Sequence, residues 1–174
     1  MIVDPLSFPV LAGAALSQAF GFLFGRLAHV LDSRDEDTNE PEQLEVPPVV
    51  SGELGLVTAA RAVVEAHLPE IQELVGTLSV YDRKPERLDG QDAAARAALA
   101  RARSLLEQIY GQRITFNGEQ RPASGVRVEQ RMKVVTSEVT AVTGSRIRSA
   151  DVTQDINEVR PGGSIIGVHG DDIG

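Results

Sequence analysis

An α+β fold is predicted, with a small N-terminal helical bundle followed by a C-terminal β-rich tail of two pseudo-repeats, solenoid-like in its stacking. Three observations predict it. Apolar residues recur at helical steps of three and four as far as Tyr110, and Gly111 is placed to cap the last of these helices. Beyond Gly111 the period changes to two, the spacing of a strand. The last fifty residues then repeat their own apolar positions.

The N-terminal segment, 1–31, has no charged residue from Pro5 to Gly25. As a helix that run would reach about 30 Å, the thickness of a bilayer core. Leu16, Phe20, Leu23, Phe24, Leu27, Val30 and Leu31 form one apolar stripe. On another face Gly13, Ser17, Gly21 and Gly25 fall every fourth residue, a small-residue ladder that admits a close helix or a membrane partner. Two expectations stand: a helix packed on its own domain, or one that enters a membrane with Phe20 and Phe24 among its contacts. A signal peptide fits poorly, since Asp4 precedes the apolar run and the first cation is Arg26.

The segment 32–50 is expected to be a flexible acidic connector. Asp32 to Glu45 holds seven acids against Arg34 alone, and the segment contains Pro41, Pro47 and Pro48. Much of the net charge of -8 lies there, whereas Gly111 to Gly174 balances eight bases with eight acids. No basic face remains to neutralise phosphates, so nucleic acid is not an expected partner.

Residues 51–111 are expected to complete the bundle. Leu56, Ala60, Val63, Val64 and His67 suggest a first stripe, and Pro69 suits the first turn of a second helix with Ile71, Leu74, Val75 and Leu78 inward. Asp82 to Gly90 is read as a charged turn. Ala95, Ala98, Leu99, Ala102, Leu105, Leu106 and Ile109 mark the clearest amphipathic helix, with Arg96, Arg101, Arg103 and Glu107 expected on its solvated face. In the connector 112–125, Arg113 to Phe116 reads as a strand entering a turn at Asn117-Gly118.

The tail, 126–174, carries the repeat. At a spacing of twenty-four, Val128 meets Val152, Gln130 meets Gln154, Met132 meets Ile156 and Val135 meets Val159. After two extra residues around Pro161-Gly162-Gly163 the spacing is twenty-six: Val139 meets Ile165, Val142 meets Val168, Gly144 meets Gly170 and Ile147 meets Ile173. Copies that match position by position are able to stack strand on strand, and an open stack recruits further copies of the chain or another protein with a matching repeat. Gln130 and Gln154 share the parity of the valines. They are read either as a side-chain amide ladder or as half-exposed edge residues.

Chemistry-bearing constellations are sparse. With no cysteine there is no disulfide and no thiolate metal site. His29, His67 and His169 are far apart, Asp171-Asp172 reads as solvated charge, and Gly162-Gly163-Ser164 lacks the lysine and helix of a phosphate loop. No catalytic residue, cofactor or metal is expected. The inferred role is self-assembly, in the cytoplasm or at a membrane reached by the N-terminal helix, with a scaffold or adaptor subunit of a soluble complex as the alternative.

The opening Asp4-Pro5-Leu6-Ser7 with its apolar stretch to Leu31, followed by the paired units Val128 to Ile147 and Val152 to Ile173, resembles in layout the HeLo and Bell cell-death proteins. These join an N-terminal helical domain to a C-terminal amyloid-signalling motif. The resemblance implies a tail that templates a cross-β stack and N-terminal helices that, once gathered, act on a membrane in defence. The chain departs from that pattern in its short helical part, its extra strand region and the lack of an Asn-rich tail.

Overall fold

The computed structural model describes residues 7–35, 40–135, 138–144, 150–159, 161 and 163–170. The chain is mixed α+β and divides into two compact units, Met1–Ser124 and Gly125–Gly174.

In the first unit α1 spans Gly13–Asp32, α2 Arg61–Ala66, α3 Leu68–Arg83 and α4 Ala93–Tyr110. Helix α1 starts well after Pro5, because Pro9 holds the preceding backbone away from helical geometry. Phe8 and Leu11 instead enter the core from a lead-in that is neither helix nor strand. The backbone of Gly90 lies so close to the Leu11 carbonyl that a Cβ there would overlap it. The stripe of α1 points inward as its spacing requires: Leu16, Phe20, Leu23, Leu27 and Val30 are buried, and Phe24 and Leu31 are half-buried. It packs on α3 and α4. Pro69 sits in the first turn of α3, where its missing N–H costs no hydrogen bond, and Ile71, Leu74 and Leu78 are buried. Helix α4 is framed at both ends. The Asp92 side chain accepts from the Ala94 N–H, and Gly111 ends the helix in the left-handed region at φ 62°.

Three expectations are corrected here. The connector 32–50 is not simply flexible: from Glu40 onward it belongs to the folded unit. Strand β1, Glu42–Gln43, pairs antiparallel with β2, Leu56–Val57, and Leu44, Val49 and Val50 are buried. The physical reason is that these few apolar side chains find partners across the chain. Asn117 N–H donates to the Val49 carbonyl, Ser51 N–H to Thr115, and Ser124 N–H to Ser51. Second, the stripe beginning at Leu56 is not helical at its start. Leu56 lies in β2 with 62% of its surface exposed, and α2 begins only at Arg61. Gln112 fastens that strand, accepting from Gly55 N–H and donating to the Leu56 carbonyl, both at 2.9 Å. Third, the strand expected over 113–116 is reduced to β3, Gln112–Arg113, with Phe116 forming a single antiparallel bridge to Val50. The turn at Asn117-Gly118 is present, with Gly118 at φ 89°.

The described residues of the second unit form the strands β4 Gly125–Val135, β5 Glu138–Gly144, β6 Ala150–Val159 and β7 Ser164–Gly170. Strand β6 runs parallel to β4, and β7 runs parallel to β5.

Candidate assembly surface and a buried charge centre

The register of the second unit brings the two sequence copies together. Val128 pairs with Val152, Gln130 with Gln154, Met132 with Ile156 and Val135 with Val159. Across the other pair of strands Val139 meets Ile165, Val142 meets Val168 and Gly144 meets Gly170. The offset changes from twenty-four to twenty-six residues between the two pairs, so the extra residues near Pro161 are absorbed between β6 and β7. Ile147 and Ile173 lie outside the described residues, as do Gly162, Asp171 and Asp172.

Two features leave this unit unfinished. Among the described residues β6 is the last strand of its sheet, and β5 and β7 form a sheet of two. Parallel strands ordinarily need cover on both faces, and two-stranded sheets are marginal alone in water. The side chains agree. Val126, Val139, Val152, Ile156, Ile165 and Ile166 are all only half-buried, and Val159 is 48% exposed. In the first unit, by contrast, the apolar stripes of α1, α3 and α4 close into a contiguous core.

The structure treats the residues expected for helix association unequally. Gly13, Ser17, Gly21 and Gly25 all lie on the exposed face of α1, and a Cβ added at any of the three glycines would meet none of the described residues within 4 Å. Phe20 is buried in the core of the first unit. It stacks on Phe24 at 5.5 Å between ring centroids and meets Tyr81 edge-on at 6.5 Å. Phe24 is half-buried beside it. By length and composition α1 is long and apolar enough to cross a membrane, with a mean hydropathy of 1.2.

Arg103 reverses its expected place. Rather than facing solvent, it is 0% exposed. Its Nη1 donates to both Glu119 carboxylate oxygens at 2.6 and 2.8 Å, its Nη2 donates to the Ser7 carbonyl, and its guanidinium lies over the rings of Phe8 and Phe116. Glu119 also accepts from the Phe116 N–H at 2.7 Å. A second pair lies nearby in sequence. Arg121 donates to Glu107 at 2.8 Å, and Glu107 accepts from the Ile114 N–H. Burial pulls the Arg103 pKa below the usual guanidinium value, with the Glu119 carboxylate opposing it. A sequence signal for this existed: Leu99, Ala102, Arg103 and Leu106 advance by three, one and three, so Arg103 falls inside the apolar stripe of α4.

A third cluster lines a cavity of about 130 Å³ between α1, β1, β2 and α2. Arg26 forms a two-pronged bond to Glu42 at 2.7 and 3.0 Å, and both its Nε and Nη2 donate to the Tyr110 hydroxyl. Burial lowers the Arg26 pKa, but the bonds to Glu42 and Tyr110 outweigh it and the net shift is upward. The Arg26 hydrogen bond holds the Glu42 carboxyl below its ordinary value. Burial raises the Tyr110 phenol. With cation, carboxylate and phenol satisfying one another, the cluster ties α1 to β1 and to the end of α4. Among the described residues no group of three or more His, Asp or Glu side chains converges to hold a metal ion.

No family model, curated protein or solved structure matches this chain.

Proposed function

We propose that this chain is a non-enzymatic self-assembling protein whose second unit is a two-layer, solenoid-like stacking element. The observation that carries the reading is the parallel, position-for-position pairing of β4 with β6 and β5 with β7, with β6 the last strand of its sheet among the described residues. Apolar residues meet apolar ones at Val128–Val152, Met132–Ile156, Val135–Val159, Val139–Ile165 and Val142–Val168, and Gln130 meets Gln154, the arrangement that a cross-β stack with laddered amides uses. A further copy adding to the edge would cover the half-buried valines and isoleucines and satisfy a row of backbone groups.

The helical unit is what such assembly would gather. In the layout of HeLo and Bell cell-death proteins, gathered N-terminal helices act on a membrane, and the length and apolarity of α1 support that output. A second reading, a scaffold or adaptor subunit in a soluble complex, is favoured by the burial of Leu16, Leu23, Leu27 and Val30. On the membrane reading α1 must leave the bundle and give up that burial, at about 1.5–3 kcal/mol for each large apolar side chain exposed on the way.

Electron microscopy of the full-length protein, paired with liposome leakage, tests both levels. Ordered filaments or stacks are expected. A protein that stays monomeric at high micromolar concentration overturns the assembly reading, and assembly without leakage or liposome binding leaves the adaptor role in its place.

A further inference from the structure

We infer that the cavity between α1, β1, β2 and α2 binds a small zwitterion with an aliphatic side chain, the chemical class of the free branched-chain α-amino acids. The site lies wholly within the helical unit, so it goes beyond the assembly reading and does not depend on it.

Much of the buried part of the lining is apolar. Val30, Val57 and Val64 are buried and Ala59 is half-buried. A closed cavity of roughly 150 Å³ takes one benzene, so a space of this size suits a side chain of about three or four carbons. The remainder of the lining carries both signs of charge. Among the described residues Arg26, Arg34 and Arg61 stand with Glu40, Glu42 and Glu65. A ligand with one charge is repelled by half of these groups, whereas a zwitterion has an opposite partner for each end.

Tyr110 selects the carboxylate end. Its hydroxyl oxygen is satisfied by Arg26, accepting from Nε and Nη2 at 3.2 and 3.0 Å, but its own O–H has no acceptor among the described residues. The residue lines the cavity and is only 9% exposed. A buried donor without an acceptor is costly, and a ligand carboxylate supplies the acceptor. Burial raises the phenol pKa, so the proton is in place at neutral pH. Glu42 suits the ammonium end. Its side chain is 46% exposed, and its two bonds to Arg26 leave lone pairs to accept more. Arg26 Nη2 donates to both Glu42 and Tyr110, which keeps the two oxygens close enough for the ammonium and carboxylate on one carbon to meet both.

The test is calorimetric titration of the full-length protein with valine, isovalerate, isobutylamine and glycine. The first three share a branched side chain and carry both charges, the carboxylate alone or the ammonium alone, while glycine carries both charges and no side chain. Valine should bind about tenfold tighter than each of the others, since each lacks one of the three contacts. Tyr110→Phe should weaken valine by about tenfold, to the level of isobutylamine. Because that change also removes an acceptor from Arg26, a second variant leaves the polar groups alone: Ala59→Leu fills the cavity and should abolish valine binding while the urea midpoint of the helical signal is kept. Absence of valine binding overturns the site, and isovalerate or isobutylamine binding as tightly as valine overturns the zwitterion. Valine affinity unchanged in Ala59→Leu or in Tyr110→Phe overturns the cavity or the hydroxyl as its place.

Discussion

Arg103 illustrates how one side chain fixes several parts of the helical unit at once. It reaches the Ser7 carbonyl and the Phe8 ring on the lead-in to α1, and Phe116 and Glu119 on the connector that ends at Ser124. Removing only the cation strands a carboxylate that is itself almost fully buried. Arg103→Ala is therefore expected to cost about 3–5 kcal/mol in urea unfolding followed by helical circular dichroism. The double change Arg103→Met with Glu119→Gln should cost clearly less than the sum of the single changes, and simple additivity would show that the pair is not the coupled unit described. This residue was readable only in part: its helical step placed it in the stripe, but nothing local to α4 reveals that Glu119 and two phenylalanine rings come to meet it. At the neighbouring clasp, Glu42 has its folded pKa below the unfolded value. Its contribution is thus present above the ordinary carboxylate range and is lost as pH falls through the folded value. Glu42→Gln should flatten the acid limb of the stability profile and leave the neutral-to-alkaline limb with an unchanged slope.

At the level of elements, α1 combines a well-packed inner face with an outer face of small residues that no described residue of its own unit covers. Gly21→Ala should stabilise the helical unit by about 0.5–1 kcal/mol, since it removes backbone freedom and meets no neighbour. Gly111→Ala has the opposite expectation, because φ 62° at the end of α4 is unfavourable for any residue with a Cβ, and a melting temperature unchanged or raised would contradict that cap. The elements legible in sequence are those with a sustained period. The spacing of α3 and α4 and the matched copies in β4 to β7 each carry their own register. The region from Glu40 to Leu56 was not legible for the reverse reason. Its acids and prolines dominate the composition, and Leu44, Val49 and Val50 gain their burial from contacts with residues far along the chain, including Thr115 and Asn117. The same dependence on distant partners shortened the strand expected over 113–116.

For the whole molecule, the contrast between the two units is the central physical fact. One completes a contiguous core, while the other leaves Val126, Val139, Val152, Ile156, Ile165 and Ile166 only half-buried, with β6 at the end of its sheet among the described residues. A chain built this way should lose assembly without losing its helices when the edge is damaged. Ile156→Asp places a carboxylate in β6 opposite Met132, on the parity shared with Val152 and Gln154. Within a stack each copy would then bury an unpaired charge, at a cost of several kcal/mol that added layers would not relieve. Light scattering and electron microscopy of the full-length variant should show monomer where the wild type assembles, with the urea midpoint of the helical signal unchanged, since Ile156 belongs to the second unit. Two other outcomes are informative. If the helical midpoint falls together with assembly, the second unit supports the first and assembly loss alone does not identify β6 as the contact. If assembly persists, the contact lies elsewhere, and the exposed ladder of α1 becomes the surface to mutate next. Leakage measured on the same variant then separates the two outputs: a membrane role that depends on gathering α1 must vanish with assembly, because a single helix of this modest hydropathy keeps its stripe in the bundle.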